Sequence, residues 1–243
     1  GGSYNFLKEG YGPKWGKLMS FLFVWQTMIQ APLVIASAAI GFAKYFSFIV
    51  PHDEFTGRLI SGSVVIVIVF LLYRKIEHIG KITVTLWLGV LLTLSFVIGG
   101  GIAHGNFLSP VQHINDGLTI NTAFAAAMGY ACVKTMYSYL GYYNVCHLGG
   151  EIINPQKNIP RSMFISIACI AVLYLLMNIS VASVLPLNII QQSPFVVSDF
   201  MQALAGKTAA LIITAMILWV AFASVFSATL GYSRIPYAAA KDG

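Results

Sequence analysis

The chain has 243 residues, of which 58% are apolar and 9% are charged, and its formal net charge is +6. Because soluble domains carry about a quarter charged residues, this composition excludes a water-soluble globule, and it also excludes disorder, collagen-like repeats and a disulfide-stapled domain. The apolar runs are continuous and about 18 residues or longer. They predict membrane-spanning helices rather than the alternating strands of about 10 residues that build a β-barrel.

Six apolar segments predict six membrane-spanning helices, and hence an all-α, polytopic helical bundle in a single transmembrane domain. In chain order they cover residues 15–48, 58–73, 82–98, 118–148, 163–184 and 209–232. The glycine run at 99–101 is expected to end the third span. The long and nearly uncharged stretch 186–207 is expected to form short surface helices.

Lysine and arginine are distributed unevenly among the connections. With the N-terminal end in the cytoplasm, ten of the 14 lie on that side, and only Arg58 and Lys207 lie in clearly outer loops. The ten are Lys8, Lys14, Lys17, Arg74, Lys75, Lys81, Lys157, Arg161, Arg234 and Lys241. The positive-inside rule therefore predicts that both ends of the segment are cytoplasmic. A plasma or inner membrane is the default expectation for its location.

The positive charge does not indicate a nucleic-acid partner, since no basic cluster is interleaved with aromatic residues. Cys132, Cys146 and Cys169 fall inside apolar segments without the spacing of metal ligands. The sequence therefore predicts neither a metal site nor a cofactor.

The fourth apolar segment carries the sequence YSYLGYYN at 137–144. Its tyrosines lose rotamer freedom in a helix, and Gly141 costs about 1 kcal/mol relative to alanine. The segment is also about 30 residues long where about 20 suffice. One interpretation is a pair of half-helices joined by unwound backbone near 138–142, whose free carbonyls accept hydrogen bonds from a substrate ammonium group. The other is a continuous tilted helix with its tyrosines packed against neighbours.

Three motifs resemble amino acid permeases of the amino acid–polyamine–organocation superfamily. YSYLGY at 137–142, followed by EIINPQKNIPR at 151–161, is similar to the family's sixth-helix signature. GGSY at 1–4 with EGYGP at 9–13 resembles the start of helix three, and SRIPYAAAKDG at 233–243 resembles the loop after helix eight. The match runs in order through the whole chain.

This resemblance implies part of a LeuT-type fold of two inverted five-helix repeats, with helices three to eight present in a fragment of a longer protein. Such folds bind substrate at the bilayer midplane between broken helices one and six. Tyr137 then matches the aromatic residue that closes over substrate, and Tyr142 stands where the family usually has tryptophan. The implied main-chain ligands of the substrate amino group are Ser138, Tyr139, Leu140 and Gly141.

Four further polar residues are candidates for a cavity or a gate. Gln26 and Gln30 share a helical face with Thr27, suited to substrate or water contact or to interhelical hydrogen bonds. Lys134 is an ionisable residue inside a span, so it either faces an outer vestibule or snorkels toward the surface. Glu151 has either a role in a cytoplasmic gate or that of a solvated acid at a helix end.

The leading hypothesis is a secondary transporter that moves amino acids by alternating access, coupled to protons or sodium. The alternatives are a transport-inactive scaffold or degenerate homologue, and a permease for polyamines or other organic cations. A polycation should need carboxylates within the membrane, and the spans carry none centrally. An enzyme is not predicted, because no converging set of nucleophile, base or metal ligands is visible.

Overall fold

The computed structural model describes residues 2–74, 76–106, 121–139, 141–142, 144–147, 149 and 152–242. All regular secondary structure in these ranges is helical, which confirms the all-α prediction. The helices are α1 (Ser3–Gly10), α2 (Gly12–Phe46), α3 (Glu54–Leu72), α4 (Ile76–His104), α5 (Thr122–Ser138), α6 (Asn144–His147), α7 (Pro155–Ala182), α8 (Leu187–Gln192) and α9 (Val196–Asp242).

Within the described residues, five helices are long and apolar enough to cross a membrane, so the chain is an integral membrane protein. They are Gly12–Phe46, Glu54–Leu72, His78–His104, Pro155–Ala182 and Val196–Lys241. Helix α5 has 17 residues, about 26 Å at 1.5 Å per residue, slightly less than a hydrocarbon layer of about 30 Å. The count of six spans stays a prediction.

Helix α9 forms the centre of the bundle and packs against α2, α3 and α4. Phe226 and Val225 of α9 are fully buried together with Ile68 of α3. Leu86 of α4 and Ala39 of α2 complete this apolar cluster. Burying such side chains against one helix fixes the relative positions of the elements that surround the candidate site.

Helix α4 continues through the glycine run 99–101 to His104, so the expectation that these glycines end the helix is wrong. A Cβ atom on Gly101 would overlap the Cβ of Ser180 in α7, and one on Gly105 would overlap the Oγ of Ser183. The glycines therefore allow α4 and α7 to approach closely, as small residues do between membrane helices.

The stretch 186–207 forms the short helix α8 and the first turns of the long helix α9. Helix α8 agrees with the expected short surface helices, whereas the first turns of α9 do not, because Phe200 there is fully buried. Gly206 bends α9 with φ 78° and ψ −174°, so the first turns fold back on the rest of the helix. Across this bend the fully buried hydroxyl groups of Ser198 and Thr214 lie 2.8 Å apart in a hydrogen bond. Their bond satisfies two polar groups inside an apolar core.

Candidate functional site

The helix that carries the tyrosine-rich motif ends inside that motif. Helix α5 ends at Ser138, α6 begins at Asn144, and turn residues lie between them. Gly141 has φ +106°, in the left-handed region that residues with a side chain rarely adopt. The main-chain N–H of Asn144 donates to the carbonyl of Gly141 over 2.9 Å, which closes a tight turn. Regular helical bonding of α5 therefore ends within the motif that the sequence singles out.

Among the side chains that the structure describes, three tyrosines lie beside the end of α5. The ring of Tyr139 stacks on that of Tyr142, with centroids 6.4 Å apart, and meets the edge of Tyr174 from α7 at 5.4 Å. The hydroxyl of Tyr174 also donates to the main-chain oxygen of Ser138 over 3.4 Å. This tyrosine cluster (Tyr139, Tyr142 and Tyr174) gives the end of α5 an aromatic wall with three hydroxyl groups.

Asn144 is a polar residue of the site that sequence reasoning missed. Its side chain packs beside Gly231 of α9, where a Cβ on the glycine would lie 3.4 Å from the Cβ of Asn144. Its Oδ1 atom is buried and has no hydrogen-bond partner among the described residues. Buried acceptors in folded proteins nearly always have a hydrogen-bond partner. Oδ1 therefore has an unused acceptor position, which a donor group of a bound molecule is able to fill. The sequence did contain one signal for this residue, because Asn144 carries a side-chain amide and follows the tyrosine-rich motif directly.

Gln26 and Gln30 line a cavity of about 240 Å³ between α2 and α9. The Nε2 of Gln26 donates to the Oε1 of Gln30 over 3.4 Å, so the two amides pair along one helix face. Tyr232 of α9 borders the same cavity and follows Gly231 directly in the sequence. The cavity and the contact with Asn144 thus involve adjacent residues of α9.

The remaining sequence candidates occupy different surroundings. Lys134 is exposed on α5, and its Nζ lies 5.4 Å from the ring centroid of Tyr130, one turn earlier. Tyr137 belongs to the last turn of α5. Leu140 and Glu151 lie outside the described residues.

Part of the motif at 151–161 has a structural role at the start of α7. Asn154 is in the left-handed region, with φ 50° and ψ 57°, and Pro155 is the first helical residue. The amide of Asn158 donates to the carbonyl of Ile153 over 2.6 Å. Proline suits the first helical position because its missing N–H has no partner there in any case. This spacing of asparagine and proline therefore initiates the helix.

These features define a polytopic helical membrane protein in which helix α5 ends beside an aromatic cluster. The sequence model of the amino acid permease family matches residues 1–243, and the chain belongs to this family. The resemblance drawn from the three motifs is therefore confirmed. Membership implies the LeuT-type fold.

Characterised relatives are similar over the whole chain. It is 25% identical over 246 residues to the serine/threonine exchanger SteT of Bacillus subtilis, covering 99% of the chain and 53% of the exchanger. It is 23% identical over 248 residues to the human cystine/glutamate transporter, covering 100% and 48%. Identity to the human Asc-type amino acid transporter 1 is 24% over 262 residues, covering 100% and 47%. The chain spans about half the length of these relatives, which are transporters and not enzymes.

Proposed function

We propose that this segment belongs to a secondary active transporter that moves amino acids by alternating access. The observation that carries the proposal is the end of α5 at Ser138, followed by the left-handed Gly141. Family membership supports it, as do the names of relatives that exchange or transport amino acids. The substrate is a zwitterionic amino acid, and a proton or sodium gradient, or exchange for a second amino acid, drives its movement.

In this proposal α5 and α6 together form a sixth, interrupted crossing. The last carbonyl groups of a helix lack helical partners and carry a partial negative charge. The carboxyl end of α5 therefore attracts the substrate ammonium group. Unwound backbone is tolerated inside a bilayer only where it is buried in protein or lines a cavity, and the tyrosine cluster beside it supplies such a wall.

The proposed substrate ligands combine main-chain and side-chain groups. The carbonyl groups of 138–141 receive the ammonium, those of Ser138 and Gly141 through the lone pair that their bonds from Tyr174 and Asn144 leave free. The buried Oδ1 of Asn144 provides a further acceptor. Tyr137 closes over the substrate, and Tyr142 borders its side chain, where its hydroxyl favours a polar group. Gln26 and Gln30 line the cavity on the α2 side. Lys134 and Glu151 act near the two ends of the pathway, toward the outer and the cytoplasmic side.

The proposal is tested by uptake into vesicles that contain the full-length protein. Labelled serine, threonine, cystine and glutamate are offered under a proton gradient, a sodium gradient, or with unlabelled amino acid inside. We expect uptake of at least one of them, and loss of that uptake in Gly141→Leu, because leucine cannot hold φ +106° without strain.

The matched control is Gly80→Leu, at a helical position in α4 with open space around it. It should keep wild-type uptake, and both variants should insert into the membrane normally. Uptake that persists in Gly141→Leu would remove the interrupted backbone from the mechanism. No uptake of any amino acid by wild-type protein would instead favour a transport-inactive scaffold.

A further inference from the structure

A second cavity lies between α2 and α3, beside the loop that joins them. It is an open groove of about 770 Å³, within the range of about 300–1,000 Å³ that is typical of ligand sites. Residues of both helices with small side chains form most of its floor. They are Ala36, Ala39, Ala43, Gly57, Ser61 and Gly62.

The floor of this α2–α3 groove offers an apolar surface. The hydroxyl of Ser61 donates to the carbonyl of Gly57 over 2.9 Å, so its hydrogen-bonding capacity is used within the helix. Ile40 also lines the groove and is 61% exposed. Both helices are long and apolar enough to span a membrane, so the groove faces lipid chains or protein rather than water.

Ionisable side chains of both signs gather at one end of the groove, near the loop. Arg58 donates to Glu54 over 2.5 Å, so these two opposite charges neutralise each other in an ion pair. Asp53 accepts a hydrogen bond from the hydroxyl of Thr56 over 2.5 Å. Lys44 is exposed and forms no ion pair in the part of the chain that the structure describes. His52 also lines this end, with its Nδ1 2.9 Å from the carbonyl oxygen of Val50. Among the described charged side chains of the groove, Lys44 and Asp53 are therefore the two outside an ion pair, and the carboxylate of Asp53 keeps acceptor capacity beyond its bond from Thr56.

An apolar groove in a membrane span is not left empty, because its walls would lose their dispersion contacts. Water is a poor filler, since apolar cavities stay dry. A lipid acyl chain restores these dispersion contacts without burying any polar group. The charged end of the groove then lies beside the headgroup of the same lipid. Phosphate pairs well with a lysine ammonium group, and a headgroup amine pairs with a carboxylate.

We propose that the α2–α3 groove binds one phospholipid with a zwitterionic amine headgroup, such as phosphatidylethanolamine. One acyl chain lies along the small residues, the phosphate pairs with Lys44, and the headgroup ammonium pairs with Asp53. The charge complementarity favours an amine-bearing lipid over an anionic one, because an anionic headgroup without an amine leaves the aspartate facing a second negative charge.

Native mass spectrometry of the full-length protein tests this site, with phosphatidylethanolamine and phosphatidylglycerol added at equal concentration. We expect one bound phosphatidylethanolamine, at about tenfold higher occupancy than phosphatidylglycerol. Gly62→Leu should abolish this adduct, because the glycine has open space in which a leucine side chain would fill the groove. Lys44→Gln should weaken phosphatidylethanolamine binding, and Asp53→Asn should remove the preference between the two lipids.

Gly41→Leu is the matched control, since Gly41 lies on α2, also has open space around it and does not line the groove. It should retain the adduct. An adduct that survives in Gly62→Leu would overturn the proposal, as would equal binding of the two lipids by wild type. Cross-linking that places another segment of the transporter, or a second copy, in the groove would also overturn it. None of these readouts depends on amino acid uptake.

Discussion

Asn144 offers the sharpest distinction between a binding role and a structural role at the scale of a single residue. Its buried Oδ1 has no partner among the described residues, and an unsatisfied buried acceptor costs about 1–3 kcal/mol. If Asn144 had only a structural role, replacing its amide with an apolar group would therefore raise the stability of the protein. A substrate ligand would instead lose a hydrogen bond to a charged group, worth about 1.5–3 kcal/mol.

We predict that Asn144→Ala raises the KM for amino acid uptake about tenfold or more, while the apo protein melts at the same or a higher temperature. Uptake kinetics in vesicles and thermal unfolding in detergent measure the two effects. Asn188→Ala, on the exposed helix α8, controls for loss of an asparagine elsewhere. An unchanged KM with a higher melting temperature would mean that Asn144 does not bind the substrate and only destabilises the folded protein.

The residues of the site were only partly predictable from sequence. Gly141 and its tyrosines stand out because they oppose helix formation locally, and the structure ends the helix there. Tyr174 looks like any aromatic residue in an apolar span, and only the packing of α7 brings its ring to Tyr139. Asn144 gains its significance from burial beside Gly231, a contact between residues 87 positions apart. Such contacts leave no local pattern in a sequence.

At the scale of elements, the contact between α4 and α7 depends on which glycine of the run 99–101 faces the neighbouring helix. We predict that Gly101→Ala lowers stability by about 1–3 kcal/mol, because its Cβ would overlap Ser180 and force the helices apart. Gly99→Ala should be neutral or slightly stabilising, since that position has open space and alanine favours a helix. Thermal unfolding of the two variants provides the comparison. Equal melting temperatures would mean that the close approach contributes nothing.

The start of α3 gives a pH-dependent prediction. The hydrogen bond from Thr56 holds the pKa of Asp53 below its ordinary value. A lowered pKa in the folded state stabilises the protein above the unfolded pKa of about 4, and this stabilisation is lost as the pH falls through the folded pKa. Thr56→Val should therefore melt below wild type at neutral pH, with the difference disappearing as the pH falls through the lowered pKa of Asp53 in the folded wild type.

Thr56→Ser keeps the hydroxyl and should follow wild type across the whole range. Melting curves of the three proteins at a series of pH values test the prediction. A difference between Thr56→Val and wild type that is the same at all pH values would assign the effect to packing, because the carboxylate would then have no part in it.

The sequence carries more information about where apolar segments lie than about where helices end. Hydropathy identifies apolar segments of spanning length, because each spanning helix must be long enough to cross the same hydrocarbon layer. It failed at α4, where three glycines predicted an end but the helix continues to His104. Glycine is unfavourable in an isolated helix and favourable where a second helix approaches closely. The sequence shows the first effect, whereas the second depends on the position of α7.

At the scale of the whole molecule, most of the surface of the spans is apolar and exposed. The five candidate spans bury between 11% and 33% of their most apolar windows, and every residue of α5 with a described side chain, except Phe124, is exposed. In water such surfaces would mark a docking or aggregation site. In a bilayer they are solvated by lipid chains or by further helices. Few apolar side chains of the spans are buried within the protein, and this is compatible with a folded protein because the surrounding lipid solvates the rest.

The orientation of this bundle follows from charge, and it can be tested by labelling. The excess of lysine and arginine in alternate connections predicts that Lys207 lies outside and Lys81 lies in the cytoplasm. Single cysteines are introduced as Lys207→Cys and Lys81→Cys after the three native cysteines have been replaced by serine. Both positions are exposed. Because a lysine ammonium is costly inside a bilayer, each is expected to lie at the aqueous end of its span, where a new thiol meets a reagent on its own side.

A membrane-impermeant maleimide should label Lys207→Cys in intact cells and Lys81→Cys only after permeabilisation. The reverse pattern would invert the topology, placing α6 and the start of α7 on the outer side. The proposed direction of the pathway would then be reversed, with Lys134 toward the cytoplasm and Glu151 toward the exterior. Labelling of both cysteines in intact cells would mean that an even number of crossings separates them. That result would exclude the alternation of connections on which the six-span prediction depends.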